Sequence, residues 1–190
     1  MSNKIKTVCV YCASREGNNP EFLNSSKKLG KILAESEITL IYGGSIVGLM
    51  GTVADSVLEN GGKVIGIIPE VIEKQGEIRH QNLTEQHRVG DMHERKKLMA
   101  DKSDAFIAMP GGFGTMDETF EIITWKVIGL HNKPIVFVNV DGFYDPVIKL
   151  INHFVENGVV PEFQKNAFRV VNSVEEALPA LEEQLHTHLE

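Results

Sequence analysis

Short apolar runs alternate with amphipathic segments along this chain, and that alternation limits the fold more than any other feature. The runs are Thr7 to Ala13, Thr39 to Tyr42, Lys63 to Ile68, Ala105 to Met109 and Pro134 to Val138. Each is rich in Val, Ile, Phe or Tyr and too short for a helix, which reads as a buried strand in parallel pairing. Between them, Pro20 to Glu35 puts proline at a favoured first-turn position and carries Phe22, Leu29, Ile32 and Leu33 towards one side. Met116, Phe120, Ile123 and Val127 step by four, three and four residues, the spacing of a helix face laid on a sheet. Helical patterning returns over Tyr144 to Asn157 and Val174 to Leu189. A βαβα series of this kind predicts an α/β fold: a Rossmann-like, doubly wound parallel sheet with helices on both faces. No repeat or low-complexity linker interrupts it, so residues 1–190 are expected to form a single domain. The stretch from Val71 to Gly90 is polar and irregular and reads as a long loop, of the kind that is often functional in a compact domain.

Composition removes several classes of function. A net charge of −7 argues against a duplex-binding surface or a polybasic membrane patch, since phosphate polymers are held by summed positive charge. No apolar run approaches the length that spans a bilayer, and the first residues lack the pattern of a secretory signal, so a cytoplasmic protein is expected, with neither nucleic acid nor membrane as partner. The two cysteines, Cys9 and Cys12, have C-x-x-C spacing. Both fall within a strand-like run and no second pair of ligands completes a tetrahedral site, so burial is the better reading and no metal is expected.

Two glycine clusters stand where a strand gives way to a helix. Pro110-Gly-Gly-Phe-Gly-Thr-Met-Asp-Glu118 follows the apolar run ending at Met109. Glycines in that place let bare amides approach an anion at the positive end of the helix, and a phosphate is the expected ligand. Gly43-Gly44-Ser45-Ile46-Val47-Gly48-Leu49-Met50-Gly51 repeats the arrangement after the second run. It is not a P-loop, because no Gly-Lys-Ser/Thr follows, and it lacks the G-x-G-x-x-G register. It reads either as a second cradle for phosphate or ribose or as tight turning and close packing alone.

Charged residues cluster in two further places. In Asp91-Met-His-Glu-Arg-Lys-Lys97, H-E-x-x-H fails because position 97 is lysine. Asp91 and Glu94 have capping-box spacing, which makes Glu94 structural. Arg95 and Lys96 stand early in the helix, against its dipole, and imply an anionic partner unless they belong to a solvated face. Glu118 is expected within the first turn of its own helix, where Thr115 and Glu118 could form a second capping box. Spacing leaves open whether Glu118 caps or reacts. Asp117 and Glu121 crowd it, and such a carboxylate cluster calls for a nearby cation such as Arg95 or Lys96.

Taken together, Pro110 to Glu118, Met92-His-Glu-Arg-Lys96, Tyr42 to Gly51 and Ile123-Thr-Trp125 resemble the LOG (Lonely Guy) family of cytokinin riboside 5'-monophosphate phosphoribohydrolases, over about Val8 to Tyr144. The resemblance implies hydrolysis of the N-glycosidic bond of AMP or an N6-substituted relative, giving free base and ribose 5-phosphate. It implies Arg95 and Glu118 as the catalytic pair. Substrate contacts would come from Gly43, Gly44, Glu77, Lys96, Gly111, Gly112, Phe113, Gly114, Thr115, Met116, Asp117, Glu121 and Thr124, with no cofactor or metal. Ser45 replaces a glycine common in the family, and Asp117 stands where many members have glutamate. Such chains also carry an older name, lysine decarboxylase, but the residues describe a nucleotide pocket and nothing indicates a pyridoxal phosphate site. The resemblance further implies a homodimer, for which Trp125, Ile128 and Leu130 are candidate anchors; Trp125 could equally be core. A non-catalytic nucleotide carrier or sensor and a phosphotransferase remain as alternatives, and the sequence does not separate plain AMP from a prenylated nucleotide.

Overall fold

The computed structural model describes residues 5–71 and 79–185. Seven strands, β1 (Thr7–Tyr11), β2 (Thr39–Tyr42), β3 (Val64–Pro69), β4 (Glu85–Val89), β5 (Ala105–Ala108), β6 (Ile135–Val138) and β7 (Arg169–Val171), form one sheet in the order β4-β3-β2-β1-β5-β6-β7. Every pairing is parallel. Among the described residues, α-helices lie between and after the strands: α1 (Pro20–Glu35), α2 (Gly48–Glu59), α3 (Met92–Lys102), α4 (Phe113–Val127), α5 (Asp145–Glu156) and α6 (Ala177–Gln184). The doubly wound α/β fold is therefore the one expected.

Side-chain alternation along the strands divides the core in two. Val8, Val10, Leu40 and Ile107 face α1, α2 and α6, where Leu29, Leu33, Val53, Val57 and Leu181 cover them. Cys9, Tyr11, Ile41 and Phe106 face the other way, towards Met99 of α3 and Ile122 of α4. Farther along that face, Phe137 and Tyr144 pack with Met116 and with Val147 and Ile148 of α5. Both cysteines are buried free thiols, and burial pushes their ionisation far above the ordinary range. Among the described residues no helix is long and apolar enough to cross a membrane.

Three expectations need correction. Val71 to Gly90 is not loop throughout: it contains β4, whose Glu-Gln-His-Arg-Val sequence shows no apolar run because the strand pairs only with β3 and leaves most of its side chains partly or wholly in water. The expected helix over Val174 to Leu189 begins as a 3-10 turn, Val174–Glu176, and its α-helical part is Ala177–Gln184; residues 186–190 lie outside the described residues. The buried stripe of α4 is Thr115, Glu118, Thr119, Ile122 and Lys126, rather than Met116, Phe120, Ile123 and Val127, which are only half-buried. The helix is thus rotated so that a carboxylate and a lysine face inwards.

The order of strands reverses between β1 and β5, so successive loops diverge there and leave a crevice at the carboxyl ends of the strands. At the opposite end the same two strands are tied by Asp104, whose Oδ2 accepts from the amides of Lys6 and Thr7 and from the Thr7 hydroxyl at 2.9–3.0 Å. Asp104→Ala should cost about 2 kcal/mol, given how much hydrogen bonds to a charged acceptor contribute. Thermal unfolding should show a melting temperature lower by several degrees, with turnover per folded molecule unchanged because the crevice lies at the other end of the strands.

Candidate active site

The crevice at the β1/β5 reversal holds a cavity of about 680 Å³, within the range that takes a nucleotide-sized ligand. Cys12 to Gly17 line it from the loop after β1, and Pro110 to Thr115 with Asp117 and Glu118 from the β5–α4 junction. Leu49, Met50, Met92 and Arg95 close one side, Phe22 and Phe143 another. The two loops are stitched together, since Ala13 N–H donates to the Pro110 carbonyl at 3.1 Å and Met109 N–H to that of Tyr11 at 2.9 Å.

The glycine loop ends in the first turn of α4. Gly112 is its N-cap residue and offers no side chain, so the amides of that turn, which have no intrahelical acceptors, face the cavity region together with the positive end of the helix dipole. The helix starts at Phe113, two residues before Thr115, and this removes the capping reading of Glu118. Thr115 is inside the helix, Glu118 is in its second turn, and the pair does not form a capping box. Phe113 stands at the cavity mouth, 98% exposed.

Glu118 is buried at 8% exposure, as is Arg95 at 9%, and Arg95 Nη2 lies 3.5 Å from Glu118 Oε1. Burial pushes the Glu118 carboxyl above the ordinary carboxylate range; the Arg95 charge opposes this and the neighbouring Asp117 charge adds to it. A carboxylate so shifted is a better proton acceptor than one in water. Arg95 is delivered by α3, whose start is fixed as the sequence predicts. Asp91 accepts from the Glu94 amide at 2.8 Å, and Glu94 turns back to accept from the Gly90 amide at 2.7 Å. Glu94 is accordingly a structural residue.

The remaining carboxylates are held by Lys96, whose ammonium lies 3.1 Å from Asp117 and 3.1 Å from Glu121. Burial alone would lower its ionisation, but the hydrogen bonds to Glu121 and Asp117 outweigh this and raise it. Lys96 therefore braces α3 against α4 beside the Arg95–Glu118 pair.

Of the residues singled out in the sequence, Arg95, Gly111, Gly112, Phe113, Gly114, Thr115, Asp117 and Glu118 line the cavity. Lys96, Met116, Glu121 and Thr124 lie outside that lining. Met116 packs against the Phe137 and Tyr144 cluster, and the Thr124 hydroxyl donates to the Phe120 carbonyl. Gly43 and Gly44 are also outside it, at the end of β2, where Gly43 abuts the Arg95 guanidinium. Glu77 lies outside the described residues. The sequence reading passed over the β1 loop, including Ser14 and Arg15, and the apolar wall of Phe22, Leu49, Met50, Met92 and Phe143. The rule that ligands bind where strand order reverses could have pointed to the β1 loop once the order was known.

Residues 50–181 match the family model described as "Possible lysine decarboxylase". The rice protein named "Probable cytokinin riboside 5'-monophosphate phosphoribohydrolase LOG4" is 44% identical over 94% of this chain and 77% of its own length. The enzyme of that activity name from Rhodococcoides fascians is 42% identical over 93% of this chain and 89% of its own, and LOG1 of Arabidopsis thaliana is 38% identical over 99% and 88%. The chain belongs to the LOG family. Solved structures of molybdenum cofactor carrier or binding proteins from Chlamydomonas reinhardtii and Rippkaea orientalis share the fold. They superpose with TM-scores of 0.69 and 0.71 at 20% identity, covering 97% of this chain and 99–100% of theirs. The decarboxylase wording of the family model finds no support in the cavity, because a pyridoxal cofactor needs a lysine to hold it and none is among the lining residues described.

The pH dependence of stability carries the signature of the buried acid. A folded-state ionisation raised above the unfolded value stabilises the fold below the ordinary carboxylate range, and that contribution is lost as pH rises through the folded value. At neutral pH the Glu118 charge therefore weighs against folding. Glu118→Gln, which stays neutral, should melt at a higher temperature than the parent at pH 7. The gap should close on acidification towards the ordinary carboxylate range, measured by thermal unfolding across pH.

Proposed function

We propose that the cavity at the β1/β5 reversal is where this LOG-family phosphoribohydrolase binds its nucleotide and cleaves it to free base and ribose 5-phosphate, with Glu118 and Arg95 as the catalytic groups. The observation that carries the assignment is the buried Arg95–Glu118 pair at 3.5 Å, set beside a glycine loop at a helix N-terminus.

The 5'-phosphate sits against Gly111 to Thr115, where first-turn amides and the helix dipole neutralise it, and Arg15 of the β1 loop adds a cation within the same lining. Breaking the bond between ribose C1' and base nitrogen builds positive charge on C1' and the ring oxygen, and Glu118 stabilises that charge. The bond electrons leave with the base. Water adds its oxygen to C1', and the proton it loses passes through Glu118 and ends on the departing base. The Arg95 charge favours the charged form of Glu118, the form that accepts the proton. Phe22, Leu49, Met50, Met92 and Phe143 form an apolar wall suited to a purine and to an apolar N6 substituent, so AMP and its N6-prenylated relatives are both substrates.

The enzyme works as a cytoplasmic homodimer. Two buried free thiols suit a reducing compartment. Ile128 and Leu130, 62% and 67% exposed, extend an apolar surface past the end of α4, where Trp125 is half-buried against the core. Replacing both with aspartate, Ile128→Asp with Leu130→Asp, should convert dimer to monomer in sedimentation.

Incubation with AMP and with isopentenyladenosine monophosphate, followed by chromatography of the released base, tests the activity and ranks the substrates. Glu118→Gln should lower turnover by about a hundredfold or more, the scale of a lost acid–base group. Arg95→Ala should slow the chemistry or weaken recognition of the phosphate. Full activity in the glutamine variant would remove Glu118 from the mechanism.

A further inference from the structure

We propose that Gly43 is a positioning residue for the reaction: its missing side chain forms the floor of a slot that holds the Arg95 guanidinium against Glu118. The proposal rests on the catalytic reading of that pair.

A Cβ built on Gly43 would lie 2.1 Å from Arg95 Nη2 and 3.1 Å from the Met50 sulfur. The guanidinium therefore fills the space that any side chain at position 43 would take. Backbone conformation does not demand the glycine, because Gly43 is absent from the positive-φ positions, unlike its neighbour Gly44 at φ 79°. The demand comes from the side chains packed against it, Arg95 foremost and Met50 after it.

Polar contacts hold the guanidinium weakly. Its Nη2 meets Glu118 only at 3.5 Å, its Nη1 donates to the Met92 sulfur at 3.8 Å, and its Nε is buried without a hydrogen-bond partner. A planar group with so few directional bonds takes its orientation from the walls around it. Those walls are Gly43, Met50 and Met92. Gly43 follows directly on β2, which is paired on both sides by β1 and β3, so the backbone is held and the flexible arginine tip must yield to an added methyl.

Displacing the guanidinium changes the balance of charge at Glu118. Arg95 and Lys96 face it from α3, Asp117 and Glu121 from its own helix, and the neutral side chains of Cys9 and Tyr11 from β1 and of Cys12 from the loop that follows. Arg95 is the foremost of the groups that favour the carboxylate, so moving it drives the Glu118 ionisation further up.

The test is Gly43→Ala, read by carboxyl carbon NMR of Glu118, assigned with Glu118→Gln, and by the pH profile of base release from AMP. The expected result is a nearly unchanged melting temperature, a Glu118 titration moved to higher pH with the acid limb of the profile following it, and turnover lower by about a hundredfold, as misplacement by about an ångström can cause. Gly44→Ala, strained by its backbone, should lower the melting temperature without moving the titration. In an Arg95→Ala background, adding Gly43→Ala should have no further effect on turnover. An unmoved titration, an added loss in that background, or failure of Gly43→Ala to fold in both backgrounds overturns the proposal. If the parent releases no base from either nucleotide, the enzymatic reading fails, while the NMR titration still decides what Gly43 does to Glu118.

Discussion

An acid removed from water must be balanced, and the balance struck between Glu118 and Arg95 is the constraint around which the rest of this site is arranged. The two residues arrive on different helices, α4 and α3, that pack on the same face of the sheet. Neither helix could bring its residue there alone. Asp91 and Glu94 fix where α3 begins, and so the height at which Arg95 projects; the glycine loop fixes where α4 begins, and so the turn on which Glu118 sits. Lys96 then ties the two helices beyond the pair through Asp117 and Glu121. The carboxylate cluster that looked costly in the sequence is thus divided between two cations, one braced in partial exposure and one enclosed.

The sheet contributes by leaving room. Strand order reverses at β1 and β5, and the loops that follow these strands part from each other while remaining hydrogen-bonded at their roots through Ala13 and Pro110. A cavity made this way is lined both by the backbone of the glycine loop and by apolar side chains from α1, α2 and α3. In the proposed binding mode phosphate meets the first of these and purine the second, so different layers of the fold serve the two ends of the nucleotide.

Much of this was legible in the chain because burial leaves a periodic mark. The central strands β1, β2, β3, β5 and β6 are covered on both faces, so their apolar runs stand out, and Pro20 marks the start of α1 to the residue. The edge strands leave no such mark. Glu85–Val89 and Arg169–Val171 have partners on one side only; the first carries mostly polar or charged side chains suited to water, and the second is only three residues long, too short to show a pattern. The face of α4 was misjudged for a related reason: Glu118 and Lys126 point inwards, and hydrophobic spacing cannot announce a charged residue that is buried for a purpose. Capping-box spacing did identify Asp91 and Glu94, yet the same spacing misled at Thr115 and Glu118, where the helix starts earlier. The lining drawn from the β1 loop depends on which strands are neighbours, a long-range fact that no local pattern contains.

Cys9 and Cys12 sit on successive faces of the hinge between the two halves of the sheet, one under each layer of helices, and both remain protonated because burial disfavours the thiolate. Cys12 borders the cavity and can be met from the crevice, whereas the wholly buried Cys9 is reached by an alkylating reagent only when the central strand is laid open. The rate of Cys9 modification therefore acts as an internal clock for the opening of the core, and Cys12 reports on access to the crevice.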